Sequence, residues 1–300
     1  MNHQHYPVMN KEVIDIFRET DRKWFIDCTL GMGGHTYHIL NTFENSKVMG
    51  IDLDEKSLEQ AKVNLGEFRD RVEFHRFNFT ELFEKVDLSG KEISGILIDP
   101  GISMFQLTDH QRGFSHNIDS ALDMRKDARS GLTAYDVLNG FSEKELTELF
   151  ETYGEVRKAG ELAKRIIEYR LFNPIDSTLK LKEMVGKLYG WKPRRGKTHP
   201  AANVFQALRI VVNKELEGVE EFLAKIPGFL VPKKGTGKRA RIVFLTFHSV
   251  EDRIVKKAFT ALQKEKKLKI IKPFPAFPSE EEIARNQPSR SVKLRAGELL

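Results

Sequence analysis

Three carboxylates and a run of glycines carry the most specific chemistry in this chain. Asp27 opens the stretch Asp27-Cys28-Thr29-Leu30-Gly31-Met32-Gly33-Gly34-His35, Asp52 closes Val48-Met49-Gly50-Ile51-Asp52, and Asp99 precedes Pro100 and Gly101. Glycines allow backbone N–H groups to approach a ligand closely. A carboxylate about 20 residues past such a turn can accept two ribose hydroxyls. The spacing departs from the dinucleotide fingerprint G-x-G-x-x-G, because its third glycine would fall on Thr36. An acid instead stands before the glycines. That pattern, D-x-x-x-G-x-G-G, suits S-adenosylmethionine better than NAD: the methionine end carries an ammonium that wants a carboxylate, and no pyrophosphate needs a helix N-terminus. The alternative reading is a strand–turn–helix corner of any α/β fold.

These residues need a parallel sheet to hold them. Trp24 to Asp54 reads as a βαβ unit: apolar strand, glycine turn, helix, second strand. Asp54 is the expected N-cap of a helix running to about Leu65, which leaves Asp52 free for the ligand. Val72 to Phe77 is a third strand, and Phe77-Asn78-Phe79-Thr80 follows it at the carboxyl edge, where open α/β sheets bind ligands. Phe79 there either stacks on adenine or packs in the core. Ile93 to Asp99 is a fourth strand, mostly apolar as a buried parallel strand should be, and Pro100 stops it. Asp99 then points into the ligand crevice or caps a loop. Upstream, His5-Tyr6-Pro7-Val8-Met9 leads to a helix from Asn10, its expected N-cap, to Arg18; this segment is a flap over the sheet or a lid over the cofactor.

From about Phe105 the character changes to polar loops and then helices, expected at Glu143–Thr152, Val156–Arg170, Leu179–Leu188 and Ala201–Leu223. The sheet resumes at Ala240–Phe247, a helix runs from His248 to about Leu262, and Leu268–Lys272 with Ser291–Arg295 reads as a closing hairpin. A helical block between strands of one sheet reads as an insertion. The expected division is a catalytic domain of residues 1–106 and 217–300, and a helical domain of residues 107–216 for substrate recognition. The loop Lys192-Pro193-Arg194-Arg195-Gly196-Lys197 is basic, so Lys192, Arg194, Arg195 and Lys197 are candidates for phosphate contact. The other reading is a solvated loop.

Composition sets the frame. The 300 residues carry a net charge of +6, with 40% hydrophobic and 31% charged residues, which fits a globular chain and permits a polyanionic partner. A single cysteine, Cys28, excludes an internal disulfide and a cysteine-based zinc site. His35 and His38 lack the carboxylate or cysteine partners of a metal site, so no metal is expected. Ser249 lacks the G-x-S-x-G elbow. No membrane-length apolar run and no signal peptide stand out, so the expected location is cytoplasmic, with no membrane partner and no DNA.

The motifs taken together resemble the RsmH (MraW) family, which methylates N4 of a cytidine in small-subunit ribosomal RNA. The matching stretches are His5–Met9, Asp27–His35, Arg112-Gly113-Phe114-Ser115, Leu122-Asp123-Met124-Arg125, Tyr153-Gly154-Glu155 and His199-Pro200-Ala201. The most specific are Phe205-Gln206-Ala207-Leu208-Arg209-Ile210 with Asn213 and Glu215, and Phe247-His248-Ser249-Val250-Glu251-Asp252-Arg253. The likeness covers nearly the whole chain in order. It implies a class I, Rossmann-like α/β methyltransferase sheet with an inserted all-helical domain. It also implies cofactor contacts from Gly33, Gly34, His35, Asp52, Phe79, Asp99 and Gln106, with S-adenosylmethionine as cofactor. The substrate implied is 16S rRNA in the small ribosomal subunit, at its decoding centre. One stretch departs: where the family has Asp-Leu-Gly-Val-Ser-Ser-Pro-Gln, this chain has Asp99-Pro100-Gly101-Ile102-Ser103-Met104-Phe105-Gln106. Asp-Pro resembles the D-P-P-Y motif of amino-group methyltransferases.

On that reading Asp99 and the Pro100 carbonyl act on the cytosine amino group. Phe105, and less directly Tyr6, can stack on a base drawn out of its helix; His248 is a further candidate beside the target. Two rivals remain: a non-catalytic RNA-binding assembly factor on the same fold, and an NAD-dependent oxidoreductase. Monomer and homodimer are both open.

Overall fold

The computed structural model describes residues 6–102, 106–107, 109–129, 131–194, 197–230 and 238–300, the side chain of Pro288 excepted. Seven strands form one sheet: β1 (Trp24–Asp27), β2 (Lys47–Asp52), β3 (Val72–Arg76), β4 (Ile93–Ile98), β5 (Arg241–Thr246), β6 (Leu268–Ala276) and β7 (Lys293–Leu299). Their order is β3-β2-β1-β4-β5-β7-β6. The pairs from β3 through β5 are parallel, whereas β7 runs antiparallel to both β5 and β6. This is the class I methyltransferase sheet. Its order reverses between β1 and β4, so the ligand crevice of such a sheet opens at their carboxyl ends, beyond Asp27 and Ile98.

The apolar content of β1, β2, β4 and β5 follows from burial on both faces: Ile26, Met49, Ile51, Ile96, Ile98, Ile242 and Phe244 pack into one core cluster, and Phe25, Val48, Leu97, Val243 and Leu245 into another. Gly50 and Gly95 are small because neighbours come close. A Cβ on Gly50 would lie 2.7 Å from Leu30, and one on Gly95 would lie 2.6 Å from Phe17.

The chain divides into two compact units, Met1–Gly101 with Glu217–Leu300, and Ile102–Leu216. The second contains helices Ala134–Gly140, Glu143–Gly154, Ala159–Arg170, Thr178–Tyr189 and Ala201–Asn213. Its own core includes Leu138, Phe150, Leu162, Ile166, Val185 and Phe205. Helix Ala134–Gly140 escapes a periodicity reading because it is short, yet Thr133 and Asp136 give it a reciprocal capping box. The continuous helix expected over Ala201–Leu223 is two helices, Ala201–Asn213 and Val219–Phe229. Lys214 takes a left-handed conformation (φ 51°) and ends the first; Gly218 (φ 75°) opens the second. The break is held by Asn213, whose Oδ1 accepts the Lys126 N–H at 2.7 Å and whose Nδ2 donates to the Met124 carbonyl at 2.7 Å. Helix Asn10–Arg18 forms as expected, but its cap is Met9 in a left-handed turn, with no side-chain cap. Asn10 instead donates to the Tyr6 hydroxyl at 3.1 Å.

Candidate active site

The turn after β1 stays tied to the sheet on both sides. The Cys28 N–H donates to the Leu97 carbonyl at 2.9 Å and the Leu30 N–H to the Ile51 carbonyl at 2.8 Å. Gly31 (φ 52°) and Gly33 (φ 86°) then adopt left-handed conformations that glycine tolerates best. A Cβ on Gly33 would also stand 2.8 Å from Leu65, so this position is closed twice over. Gly34 begins helix Gly34–Thr42, and a Cβ there would meet only ordinary contact with Pro7 at 3.5 Å. Among the described residues, no neighbour demands glycine at 34.

Asp52 closes the turn from the other side. Its Oδ2 accepts the Gly31 N–H at 2.7 Å and its Oδ1 the Asp54 N–H at 2.9 Å. Two backbone donors thus fix the carboxylate at the end of β2. Asp54 caps helix Glu55–Asn64, accepting from the Lys56 N–H at 3.1 Å.

Asp27 differs from its expected role as partner of an ammonium. It is 2% exposed. Its Oδ2 accepts the Thr36 hydroxyl at 2.7 Å, and its Oδ1 accepts the Thr29 N–H at 3.2 Å. It pins the turn to the start of the following helix. Burial pushes its pKa up to about 6, opposed by the Thr36 hydroxyl, His35 and the Thr29 N–H, and assisted by the charge of Asp99. Sequence spacing hides this arrangement, because Thr36 reaches back from nine positions away.

At the carboxyl end of β4 the Asp99 N–H donates to Thr29 Oγ1 at 2.6 Å, which fixes the backbone there. His35 Nε2 lies 3.4 Å from Asp99 Oδ2. His35 is 6% exposed. Its Nδ1 and Nε2, and Asp99 Oδ1, are buried without a hydrogen-bond partner. Leaving buried polar atoms unpaired costs about 1–3 kcal/mol each, so three orphans at a sheet's carboxyl edge fit a ligand that supplies their partners. The set of glycine turn, ribose-type carboxylate and orphaned His–Asp pair fits a nucleoside-bearing cofactor with a cationic centre. Among the described residues, no group of three or more His, Cys, Asp or Glu is arranged to hold a metal ion, and no helix is long and apolar enough to cross a membrane.

The remaining candidates spread out. Phe79 is 9% exposed and packs edge-to-face on Phe222, ring centroids 5.2 Å apart. Pro100 is half-buried. Gly101 follows it, facing the Phe247 ring; a Cβ there would lie 3.4 Å from Phe247. His248 caps helix Ser249–Lys264: its Nδ1 accepts the Glu251 N–H at 3.3 Å, while the Glu251 carboxylate accepts the Phe247 N–H at 2.8 Å. In the same motif Asp252 holds Arg295 (2.8 Å) and Lys293 (2.9 Å), tying this helix to β7. Much of Phe247–Arg253 is therefore structural. Gln106, 4% exposed, belongs to the helical unit, as do the exposed Lys192, Arg194 and Lys197. Phe105 and Arg195 lie outside the described residues. Thr29 and Thr36, which orient Asp99 and Asp27, are site residues that motif reading passes over.

Comparison with known proteins narrows the chemistry. The family model described as the MraW methylase family matches residues 2–300. The ribosomal RNA small subunit methyltransferase H of Sulfurihydrogenibium sp. (strain YO3AOP1) is 43% identical over 98% of this chain and 98% of its own length. The protein of that description from Thermotoga neapolitana is 42% identical over 99% and 97%, and the one from Nostoc punctiforme 40% identical over 99% and 94%. A solved structure described as an rRNA methylase from Streptococcus thermophilus is 12% identical, covers 97% of this chain and 95% of its own, and has a TM-score of 0.40, too low to carry weight. With the sheet order, the glycine turn and a match from end to end in agreement, the chain belongs to the MraW methylase family, whose cofactor is S-adenosylmethionine.

Proposed function

We propose that this protein transfers a methyl group from S-adenosylmethionine to N4 of a cytidine in the decoding centre of 16S rRNA, within the small ribosomal subunit. The observation that carries the reading is the orphaned His35–Asp99 pair at the switch point of the sheet. The relatives, small-subunit rRNA methyltransferases by description, supply the substrate class. Asp99-Pro100, with its likeness to amino-group methyltransferase motifs, supplies the target atom.

In this proposal Gly33, Gly34, His35, Asp52, Phe79 and Asp99 hold the cofactor, and Gln106 is carried over as a contact by family resemblance. Asp52 takes the ribose hydroxyls, and the glycines of the turn let the ligand approach the backbone. When bound, S-adenosylmethionine supplies an electrophilic methyl group on a sulfonium. The cytosine amino nitrogen is a poor nucleophile because its lone pair is delocalised into the ring. Asp99 and the Pro100 carbonyl accept its N–H hydrogens and favour a pyramidal nitrogen. Positive charge develops there, and the Asp99 carboxylate stabilises it. The proton then leaves to Asp99 or water. The unit Met1–Gly101 with Glu217–Leu300 is the catalytic domain, and the helical unit recognises the RNA, with Lys192, Arg194, Arg195 and Lys197 on phosphates. Phe105 and His248 serve the target base. This reading sets the enzyme to work in the cytoplasm.

The test is mass spectrometry of 16S rRNA from a strain lacking the protein. Loss of one N4-methylcytidine, restored by the wild-type chain, is expected. Unchanged rRNA overturns the proposal.

A further inference from the structure

The helical unit holds an open cavity of about 580 Å³ at the end of helix Thr178–Tyr189, lined by Lys182, Gly186, Lys187, Trp191, Lys192 and His199. Local chain chemistry builds it. Gly190 takes a left-handed conformation (φ 56°), and the Trp191 N–H returns to the Gly186 carbonyl at 2.9 Å, a Schellman-type close. That turn fixes where the indole starts. The ring then meets His199 edge-on, centroids 5.3 Å apart. His199 lies 6.0 Å from His116, which packs edge-on against Phe205 at 5.7 Å, and Phe205 belongs to the core of the unit. A ladder of rings thus braces Trp191 from behind while leaving the indole partly exposed.

The polar atoms point the same way. His199 Nδ1 accepts the Ala201 N–H at 3.0 Å, so in the neutral ring the hydrogen sits on Nε2. Burial and the charge of Lys182 hold the His199 pKa below its ordinary value, and the same causes with His199 itself bring His116 to about 4, so both are neutral at pH 7. Nε2 would stand 3.2 Å from a Cβ at Gly186, the residue whose missing side chain keeps the cavity floor open. A donor therefore lies at the floor and an indole at the wall. Three lysines line the cavity against one glutamate, Glu183, already paired with Lys187 at 2.7 Å. Arg194 and Lys197 follow on the adjoining loop, both exposed.

We infer that this cavity binds one unstacked nucleobase of single-stranded RNA: Trp191 stacks on the base, His199 Nε2–H donates to its edge, and Lys182, Lys187 and Lys192 meet the flanking phosphates. Aromatic stacking joined to lysines is how proteins hold single strands with little sequence preference. The inference rests on the RNA-methylation reading for its partner, but it concerns a site separate from Asp99 and the glycine turn.

The test uses the full-length chain. Its tryptophans are Trp24 and Trp191, so Trp24→Phe isolates Trp191 fluorescence. Titration with a short single-stranded RNA of mixed sequence should quench it, and the same RNA as a duplex should not. Trp191→Ala should weaken single-strand binding about tenfold, within the range seen for lost base stacking, while Trp191→Phe retains most of it and both bind S-adenosylmethionine normally. Equal quenching by duplex and single strand, or unchanged affinity in a folded Trp191→Ala protein, overturns the inference. RNA-dependent quenching in a protein that methylates no rRNA sustains the cavity and sinks the methylation reading. Normal methylation without quenching does the reverse.

Discussion

Asp27 and Glu215 are both buried carboxylates, and the two units treat them in opposite ways. In the helical unit Glu215 meets Arg209 Nε at 2.9 Å and Lys126 Nζ at 2.8 Å. Burial alone would raise its pKa, but those two cations outweigh it and bring it to about 2. In the sheet unit the partners of Asp27 among the described residues are a hydroxyl and a backbone N–H, and burial takes it up to about 6. The charge of Asp99 nearby adds to that rise, and His35 Nε2 lies 3.4 Å from Asp99 Oδ2. One acid is neutralised by the chain itself. The other is buried on two neutral donors, Thr36 and the Thr29 N–H, and bears the cost of its own charge.

The comparison can be broken most severely at Glu215. Glu215→Gln leaves Arg209 and Lys126 without their counter-charge, so unfolding should become easier by about 3–5 kcal/mol, the cost of breaking a buried pair. Denaturant melts measure it; a shift below about 1 kcal/mol would make this ion cluster incidental. Its pH signature has a definite sign. The pKa is depressed from 4.5, so this contribution is present above pH 4.5 and fades as pH falls toward 2.

The next effect is on rate. Asp99→Asn keeps shape and one acceptor oxygen but removes charge, so single-turnover methylation at saturating cofactor and RNA should slow by about 10²–10³. Saturation removes the binding contribution. A near-normal rate would make Asp99 a positioning group only.

Asp52→Ala should weaken S-adenosylmethionine binding by about 1.5–3 kcal/mol in a folded protein, as lost charge-assisted bonds do. Calorimetry giving wild-type affinity would remove Asp52 from the site.

Asp27→Asn sharpens the contrast with Glu215. A raised pKa means stability held below pH 3.8 and lost as pH rises toward 6, a cost of about 1.5–3 kcal/mol at pH 7. The variant lacks that loss, so its stability relative to wild type should climb between pH 4 and pH 7. A flat difference would mean that Asp27 is compensated in the folded protein.

The smallest effect is expected on the basic loop. Replacing Lys192, Arg194, Arg195 and Lys197 with Ala should weaken subunit binding and flatten its salt dependence, with cofactor affinity unchanged. An unaltered salt slope would return this loop to a solvated surface.

Elements governed by local chemistry were legible in the sequence. The Asp54 cap, the glycine turn and the apolar runs of β1, β2, β4 and β5 show in residue types a few positions apart, and they form as read. What depends on distant partners was not. The break after Asn213 needs Met124 and Lys126 to hold it. Asp27 looked available because nothing in its spacing shows Thr36 turning back onto it. The pairing of His35 with Asp99 joins residues on opposite sides of the sheet's switch point, and only the parallel pairing of β1 with β4 brings them together.

The insertion of Ile102–Leu216 between β4 and β5 also sets an order of events at the ribosome. As the chain emerges, β1 to β4 are complete, yet β4 awaits its partner Arg241–Thr246 until the helical unit has been made. That unit is contiguous and helical, and helices form on local hydrogen bonds, which close fast. It can fold while the half-sheet still shows an open edge, and an open apolar edge is what nascent chains aggregate through. The crevice at the carboxyl ends of β1 and β4 comes from strands made before the insertion, yet the sheet that holds it keeps an unpaired edge until β5 arrives.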